Sequence, residues 1–149
     1  MIWFAIDYIN SFLFNFRYGK KLQELSFTAI PHGYKVLRLN DIDTTEIVDF
    51  FNRQPEEAFK YFKPHDFDFK TIKSLQQNKA FLAYLILDET KDDVTCSSAI
   101  AGYCFNRSYF HGKGFRGRLV DINYRGRGLG TALNRLLNEV VGVIRSTTI

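Results

Sequence analysis

The chain has 149 residues, enough for one domain with its own core, and its 46% hydrophobic and 24% charged content is that of an ordinary globular sequence. Two cysteines, Cys96 and Cys104, are too few for a disulfide framework, and neither their spacing nor the three scattered histidines fits a metal motif. The net charge of +4 is uneven: Arg107, Lys113, Arg116, Arg118, Arg125, Arg127 and Arg135 meet one acid, Asp121, across 107–135, so that window carries +6 and the remainder −2. Such a concentration of positive charge points to an anionic ligand, either nucleic acid or a phosphorylated cofactor.

The first 16 residues, MIWFAIDYINSFLFNF, carry one charge, Asp7. They lack a basic leader and a small-residue cleavage site, and their polar interruptions leave no run of about 20 apolar residues for a span. Asp7, Ser11, Asn15 and Tyr18 recur at helical spacing and predict a helix with a narrow polar stripe. We read residues 1–30 as an aromatic-rich helical extension that docks on the domain or on a second copy. An interfacial membrane helix, followed by the basic pair Lys20 and Lys21, is the less favoured reading. Reduced thiols and the absence of a leader predict a cytoplasmic protein.

Residues 34–39 alternate and predict a first strand. Asp43, with Glu46 three residues on, resembles a capping box, and Ile47, Phe50 and Phe51 follow at helical spacing. Phe69, Ile72 and Leu75 predict a second helix. The apolar run 81–87 predicts a strand, the polar stretch 88–97 a hairpin loop, and 99–105 an antiparallel partner. A third long strand is expected over 115–120. After it, Ala132, Leu133, Leu136, Leu137, Val140, Val141 and Ile144 form a strong helical stripe. The expected fold is α+β, with a largely antiparallel central sheet and flanking helices.

Between that last strand and helix lies NYRGRGLGTAL, from Asn123 to Leu133. Glycine lowers helix stability, so three of them at a helix start call for a compensating role. The first amides of a helix lack intrahelical acceptors, and the helix dipole is positive there. Glycines let an anion approach those amides closely, and arginines add charge-assisted hydrogen bonds. The stretch is neither a P-loop nor a dinucleotide fingerprint, because it lacks the Lys-Ser/Thr pair and the required third glycine offset.

Arg125-Gly126-Arg127-Gly128-Leu129-Gly130 fits an Arg/Gln-x-x-Gly-x-Gly/Ala pattern and resembles the signature of the GNAT superfamily of N-acetyltransferases. The approach Val120 to Gly126, the helix start Thr131-Ala132-Leu133 and the upstream element order are also similar, so the resemblance covers about 34–144. It implies a GNAT-like acyl-CoA-binding domain over 31–149 and acetyl-CoA, or another acyl-CoA, as co-substrate. It further implies a pyrophosphate cradle from the amides of Arg127, Gly128, Leu129, Gly130 and Thr131, flanked by Arg125, Gly126 and Arg127. The backbone of Arg118, Leu119 and Val120 would pair with the pantetheine arm. The reaction implied is direct attack of an amine or amino-sugar acceptor on the thioester, in a ternary complex.

The sequence departs from the family at three points. It stops after the third family helix, so the fifth strand, the next helix with its usual acid tyrosine and the last two strands are expected to be missing, with 145–149 at most beginning a strand. Arg116 and Arg118 on a central strand require an edge or an exposed face, since a buried unpaired charge is costly. Ile122 stands where the family customarily has Pro. A bare strand edge invites association, so the expectation is either a truncated piece of a longer protein or a subunit completed by association, such as a homodimer through that edge or the N-terminal helix.

Asp121, at the end of the third long strand, is the candidate base, against a structural role balancing Arg118 or Arg125. His65, before the second helix, is the candidate acceptor-binding residue, against a plain loop role. Cys104, Tyr103 and Tyr124 read as packing residues. The leading function is an N-acyltransferase. The alternatives are a non-catalytic GNAT-like CoA-binding or interaction module and, less favoured, a nucleic-acid-binding protein. The basic residues cluster at one loop rather than along an extended stripe, so nucleic acid is not an expected partner.

Overall fold

The computed structural model describes residues 2–28, 30–94 and 96–148. A 22-residue helix, α1 (Ile2–Gln23), precedes strand β1 (Tyr34–Arg38), helices α2 (Thr44–Asn52) and α3 (Phe69–Gln77), strands β2 (Phe81–Asp88), β3 (Ile100–Ser108) and β4 (Gly114–Val120), and helix α4 (Leu129–Thr148). The four strands form an antiparallel sheet in the order β1-β2-β3-β4, so β4 is an edge. The chain is thus mixed α+β, with helices on both faces of the sheet.

Those two faces explain the unbroken apolar text of β2. Phe81, Ala83, Leu85 and Leu87 point into a core closed by α2 and α3, through Ile47, Phe50, Phe51, Ile72 and Leu75. Tyr84 and Ile86 point the other way, into a core closed by α1 and α4. A strand covered on both sides loses the polar alternation of a half-exposed one. The α4 stripe behaves as its spacing predicts: Ala132, Leu133, Leu136, Leu137, Val140 and Ile144 are buried. Gly102 lets α4 lie close to β3, because a Cβ there would stand 3.0 Å from both Ile86 Cγ2 and Leu133 Cδ1. Gly142 is the opposite case. It lies inside α4 with no atom within 4 Å of an added Cβ, so Gly142→Ala is expected to stabilise the fold by about 0.5–1 kcal/mol through helix propensity alone. Thermal or urea unfolding reads this out, and a loss of stability would mean the helix is not formed there.

Two local expectations change. Asp43 caps α2 by accepting from the Thr45 amide at 2.8 Å, but Glu46 does not close a capping box. Its Oε2 accepts from the Ser97 amide at 2.6 Å, tying the helix to the β2–β3 connection. Residues 145–148, expected at most to begin a strand, continue α4, because Val143 and Ile144 keep the helical burial stripe going. Helix α1 docks on the domain, since Phe14, Tyr18 and Leu22 enter the same core as α4. Its polar stripe also faces inward. Asn10 donates to the Ser108 carbonyl at 3.1 Å and accepts from the Phe110 amide at 2.9 Å, and Ser11 Oγ accepts from the Lys79 amide at 2.8 Å. These strand-end backbone groups need polar partners, and α1 supplies them.

The edge position of β4 resolves the arginine question. Arg116 and Arg118 are both exposed, and Arg116 Nη1 donates to Asn138 Oδ1 on α4 at 2.7 Å.

Candidate functional site: the glycine loop and its support

The chain leaves β4 at Val120, makes one 3-10 turn over Ile122–Tyr124 and reaches α4 through Arg125 to Gly128. Gly126 and Gly128 have φ of 80° and 79°, in the left-handed region that favours glycine, and both face open space. The first α4 hydrogen bond into the loop runs from the Ala132 amide to the Gly128 carbonyl at 3.2 Å. The amides of Leu129, Gly130 and Thr131 therefore precede the intrahelical ladder. Leu129 is 1% exposed and pins the helix start into the core. A fixed, positively polarised helix end thus opens next to two glycines that leave it accessible. Arg125 is exposed beside it. Arg127 lies with its guanidinium 4.8 Å from the Tyr124 ring centroid, and the neighbouring Tyr34 side chain is the main reason its proton is held more tightly than usual.

Asp121 is 0% exposed, and its carboxylate is fully engaged. Oδ2 accepts from Arg53 Nε at 3.0 Å and from Gln54 Nε2 at 2.6 Å, and Oδ1 accepts from the Asn123 amide at 2.8 Å. Arg53 also donates to the Ile100 carbonyl at 2.8 Å, and Gln54 Oε1 accepts from the Ile122 amide at 3.2 Å. The end of α2 therefore clamps the end of β4 and the turn that launches the loop. Neither Arg118 nor Arg125, the arginines expected to balance Asp121, is among its bonds. Arg53 and Gln54, which the sequence reading passed over, take that place. Their one legible signal is an Arg-Gln pair at a helix end directly before Pro55.

Tyr124 carries a second support. Its hydroxyl donates to Asp88 Oδ2 at 2.7 Å, while Asp88 Oδ1 accepts from the Thr90 amide and hydroxyl at 2.9 and 2.6 Å. The Thr90 bond first, and then the Tyr124 bond, hold the Asp88 carboxyl below its ordinary range. Burial and the neighbouring carboxylate push the Tyr124 phenol well up, so it remains a donor. A carboxyl with a depressed folded pKa contributes stability that is complete above its unfolded value and is lost as pH falls through the folded one. Tyr124→Phe is therefore expected to cost about 1–2 kcal/mol at pH 7, with the difference from wild type shrinking below about pH 4. Urea unfolding across pH reads this out, and a pH-independent difference would contradict it. Arg53, Asp88, Lys91, Asp121, Asn123, Tyr124 and Arg127 line an open cleft of about 500 Å³ beside the loop.

His65 lies elsewhere, on the sheet face covered by α2 and α3. Its Nδ1 is 2.6 Å from the Asp66 carbonyl, which only accepts, so Nδ1 carries the hydrogen and Nε2 accepts from the Tyr103 hydroxyl at 3.0 Å. Phe67 and Phe81 pack against the ring at centroid distances of 4.9 and 5.7 Å. Burial lowers the His65 pKa, so the ring is neutral at pH 7, and burial raises the Tyr103 phenol. Among the described residues, none of the hydrogen bonds or ring contacts of His65 is with Asp121 or the glycine loop. The buried Cys104 thiol is likewise pushed up by burial, and the half-exposed Cys96 is free.

The structure thus places Arg118, Leu119 and Val120 on an edge strand that leads directly into Asp121 and the loop Arg125 to Thr131, and it leaves His65 apart. Among the described residues, no group of three His, Cys, Asp or Glu could hold a metal ion. No helix there is long and apolar enough to cross a membrane. Comparisons with family profiles, with curated proteins and with solved structures return no match.

Proposed function

We propose that this chain binds an acyl-CoA, acetyl-CoA in the first instance, and transfers the acyl group to an amine as a GNAT-like N-acyltransferase. The observation that carries the reading is the loop itself: Gly126 and Gly128, both at positive φ and both bordering open space, stand before a helix whose first turn is anchored by Leu129. A pyrophosphate is the anion that such a cradle fits, with several amides for its oxygens and Arg125 beside them. The outer edge of β4 supports it. No strand pairs there among the described residues, so the backbone of Arg118, Leu119 and Val120 is available to an extended, amide-bearing arm such as pantetheine.

In this reading the protein's contribution is positioning. The cradle fixes the phosphates, the strand edge aligns the arm, and the thioester carbonyl comes to lie near the end of β4. Attack by a neutral amine forms the new C–N bond, breaks the C–S bond and releases the CoA thiol, and the amine proton passes to solvent or to the thiolate. One observation favours a second reading, a CoA-binding module without turnover: Asp121, the nearest carboxylate to that end of the strand, is buried and holds three donors.

Incubating the chain with acetyl-CoA and a panel of small amines and amino sugars, with free CoA followed chromatographically, separates the two. Amine-dependent CoA release supports the transferase. Saturable acetyl-CoA binding with no release across the panel supports the module.

A further inference from the structure

Helix α1 is apolar on two sides: Phe14, Tyr18 and Leu22 enter the domain core, and a second apolar set faces away from it. The side that meets the domain is where Asp7, Asn10 and Ser11 lie, and all three are engaged there: Asn10 and Ser11 with strand-end backbone, and Asp7 with Arg107 at 3.6 Å. The opposite side carries Ile2, Ile9, Phe12, Leu13 and Phe16, at i, i+7, i+10, i+11 and i+14, and these face outward. Ile2 is 71% exposed, Phe12 65% and Phe16 86%, and the overhanging Trp3 is 76% exposed. By the helical rise this apolar strip runs about 21 Å. An aromatic strip of that length is far outside what a water-facing helix normally presents.

We propose that the outward face of α1 docks on an anionic lipid surface, with the helix lying in the plane of the interface. The charges around the strip select this occupant. Arg17, Lys20 and Lys21 close the C-terminal part of the helix, all exposed, and Lys113 lies in the adjoining β3–β4 hairpin, whose Phe110 is 46% exposed. Asp7, the only acid within α1, is already paired. A second copy packing its own α1 on this strip, parallel or antiparallel, brings no acid but the already paired Asp7 to meet Arg17, Lys20 and Lys21. An anionic bilayer meets both halves of the face, since acyl chains receive Phe12 and Phe16 while lipid phosphates and carboxylates receive Lys20 and Lys21. Trp3 and Tyr8, with apolar rings and a polar edge, suit the headgroup level.

The orientation leaves the glycine loop in water. Asn10 and Arg17 are bonded to residues 108 and 110, just before β4 begins at Gly114, whereas the loop follows the other end of β4. The proposal does not rest on the acyl-CoA reading, and each stands if the other fails.

The test uses the full chain with vesicles of phosphatidylcholine alone and with phosphatidylserine added. Trp3 is the single tryptophan, so its fluorescence reports on α1 directly. The expected result is co-flotation and a blue shift with the phosphatidylserine vesicles, weaker with phosphatidylcholine alone and reduced by salt. Phe12→Ser with Phe16→Ser, both at exposed positions, should weaken binding at least about tenfold with unchanged helicity. Lys20→Glu with Lys21→Glu should remove the preference for the anionic vesicles. Equal binding to both vesicle types overturns the anionic assignment. No binding to either, by a chain that remains helical, overturns the proposal, as does a dimer dissociated by the Phe12→Ser/Phe16→Ser change without vesicle binding.

Discussion

Gly128→Asp is expected to weaken acetyl-CoA binding by at least about 100-fold, near 2.8 kcal/mol at 1.4 kcal/mol per decade. Position 128 immediately precedes Leu129, the first residue of α4, and an added Cβ there meets nothing within 4 Å. An aspartate side chain would therefore fit without a clash. It would place a carboxylate over the amides of Gly130 and Thr131, competing with a phosphate for the same donors and repelling it. The backbone strain of a non-glycine residue at φ 79° adds about 1–2 kcal/mol to the folded state. Gly128→Ala carries that strain without the charge. Its expected profile is a small loss of stability with binding weakened far less than in the aspartate variant. Calorimetric titration of both variants reads this out, and equal, undiminished affinity would remove the loop from any account of ligand binding.

Asp121→Ala is expected to destabilise the fold by about 3–5 kcal/mol. The carboxylate is 1% exposed and holds Arg53, whose side chain is 27% exposed, together with Gln54 and the Asn123 amide. Removing it leaves the partly buried Arg53 guanidinium without its counter-charge, and costs Arg53 and Gln54 one acceptor each while their bonds to the Ile100 and Phe50 carbonyls remain, which is the expensive way to break such a cluster. Asp121→Asn keeps one acceptor oxygen: with it at the Asn123 amide, the new NH2 group, a donor, faces Arg53 Nε and Gln54 Nε2, so both of those bonds are lost and the loss should approach that of the alanine variant. Urea unfolding at pH 7 measures both. A loss under about 1 kcal/mol for the alanine variant would mean the clamp is not formed in solution. The stability readout also bears on mechanism: a structural Asp121 predicts that activity, where present, falls in step with the folded fraction and shows no change in the pH profile.

Much of this fold is legible from short-range pattern. The β2 run, the α4 stripe, the order of elements after residue 34 and the glycine loop are all set by neighbours within a few positions, where the periods of strand and helix and the backbone freedom of glycine apply directly. The contacts that were not legible join distant positions. Arg53 and Gln54 reach Asp121 across 68 and 67 residues, and Glu46 leaves its expected capping role for the Ser97 amide 51 residues away. For Glu46 the local capping bond lost to a backbone donor that would otherwise have had no partner. The orientation of α1 is the clearest instance. Its sequence shows a polar stripe and an apolar one, and either could face the domain. The choice is made by the Ser108, Phe110 and Lys79 backbone groups at the ends of the strands, which Asn10 and Ser11 satisfy. Burial of Phe14, Tyr18 and Leu22 completes the contact. His65 illustrates a further limit. Its place in the loop before α3 was readable, but its bond to Tyr103 and its aromatic surroundings follow from how that loop folds over β2 and β3.

The central claim is that the loop from Arg125 to Thr131 cradles the pyrophosphate of CoA. Calorimetric titration of the chain with acetyl-CoA, with ADP and free pantetheine titrated separately, tests it most directly. The account predicts saturable one-site binding of acetyl-CoA, measurable but weaker binding of ADP through the same amides, and loss of both in Gly128→Asp. A folded chain that binds neither acetyl-CoA nor ADP would contradict it.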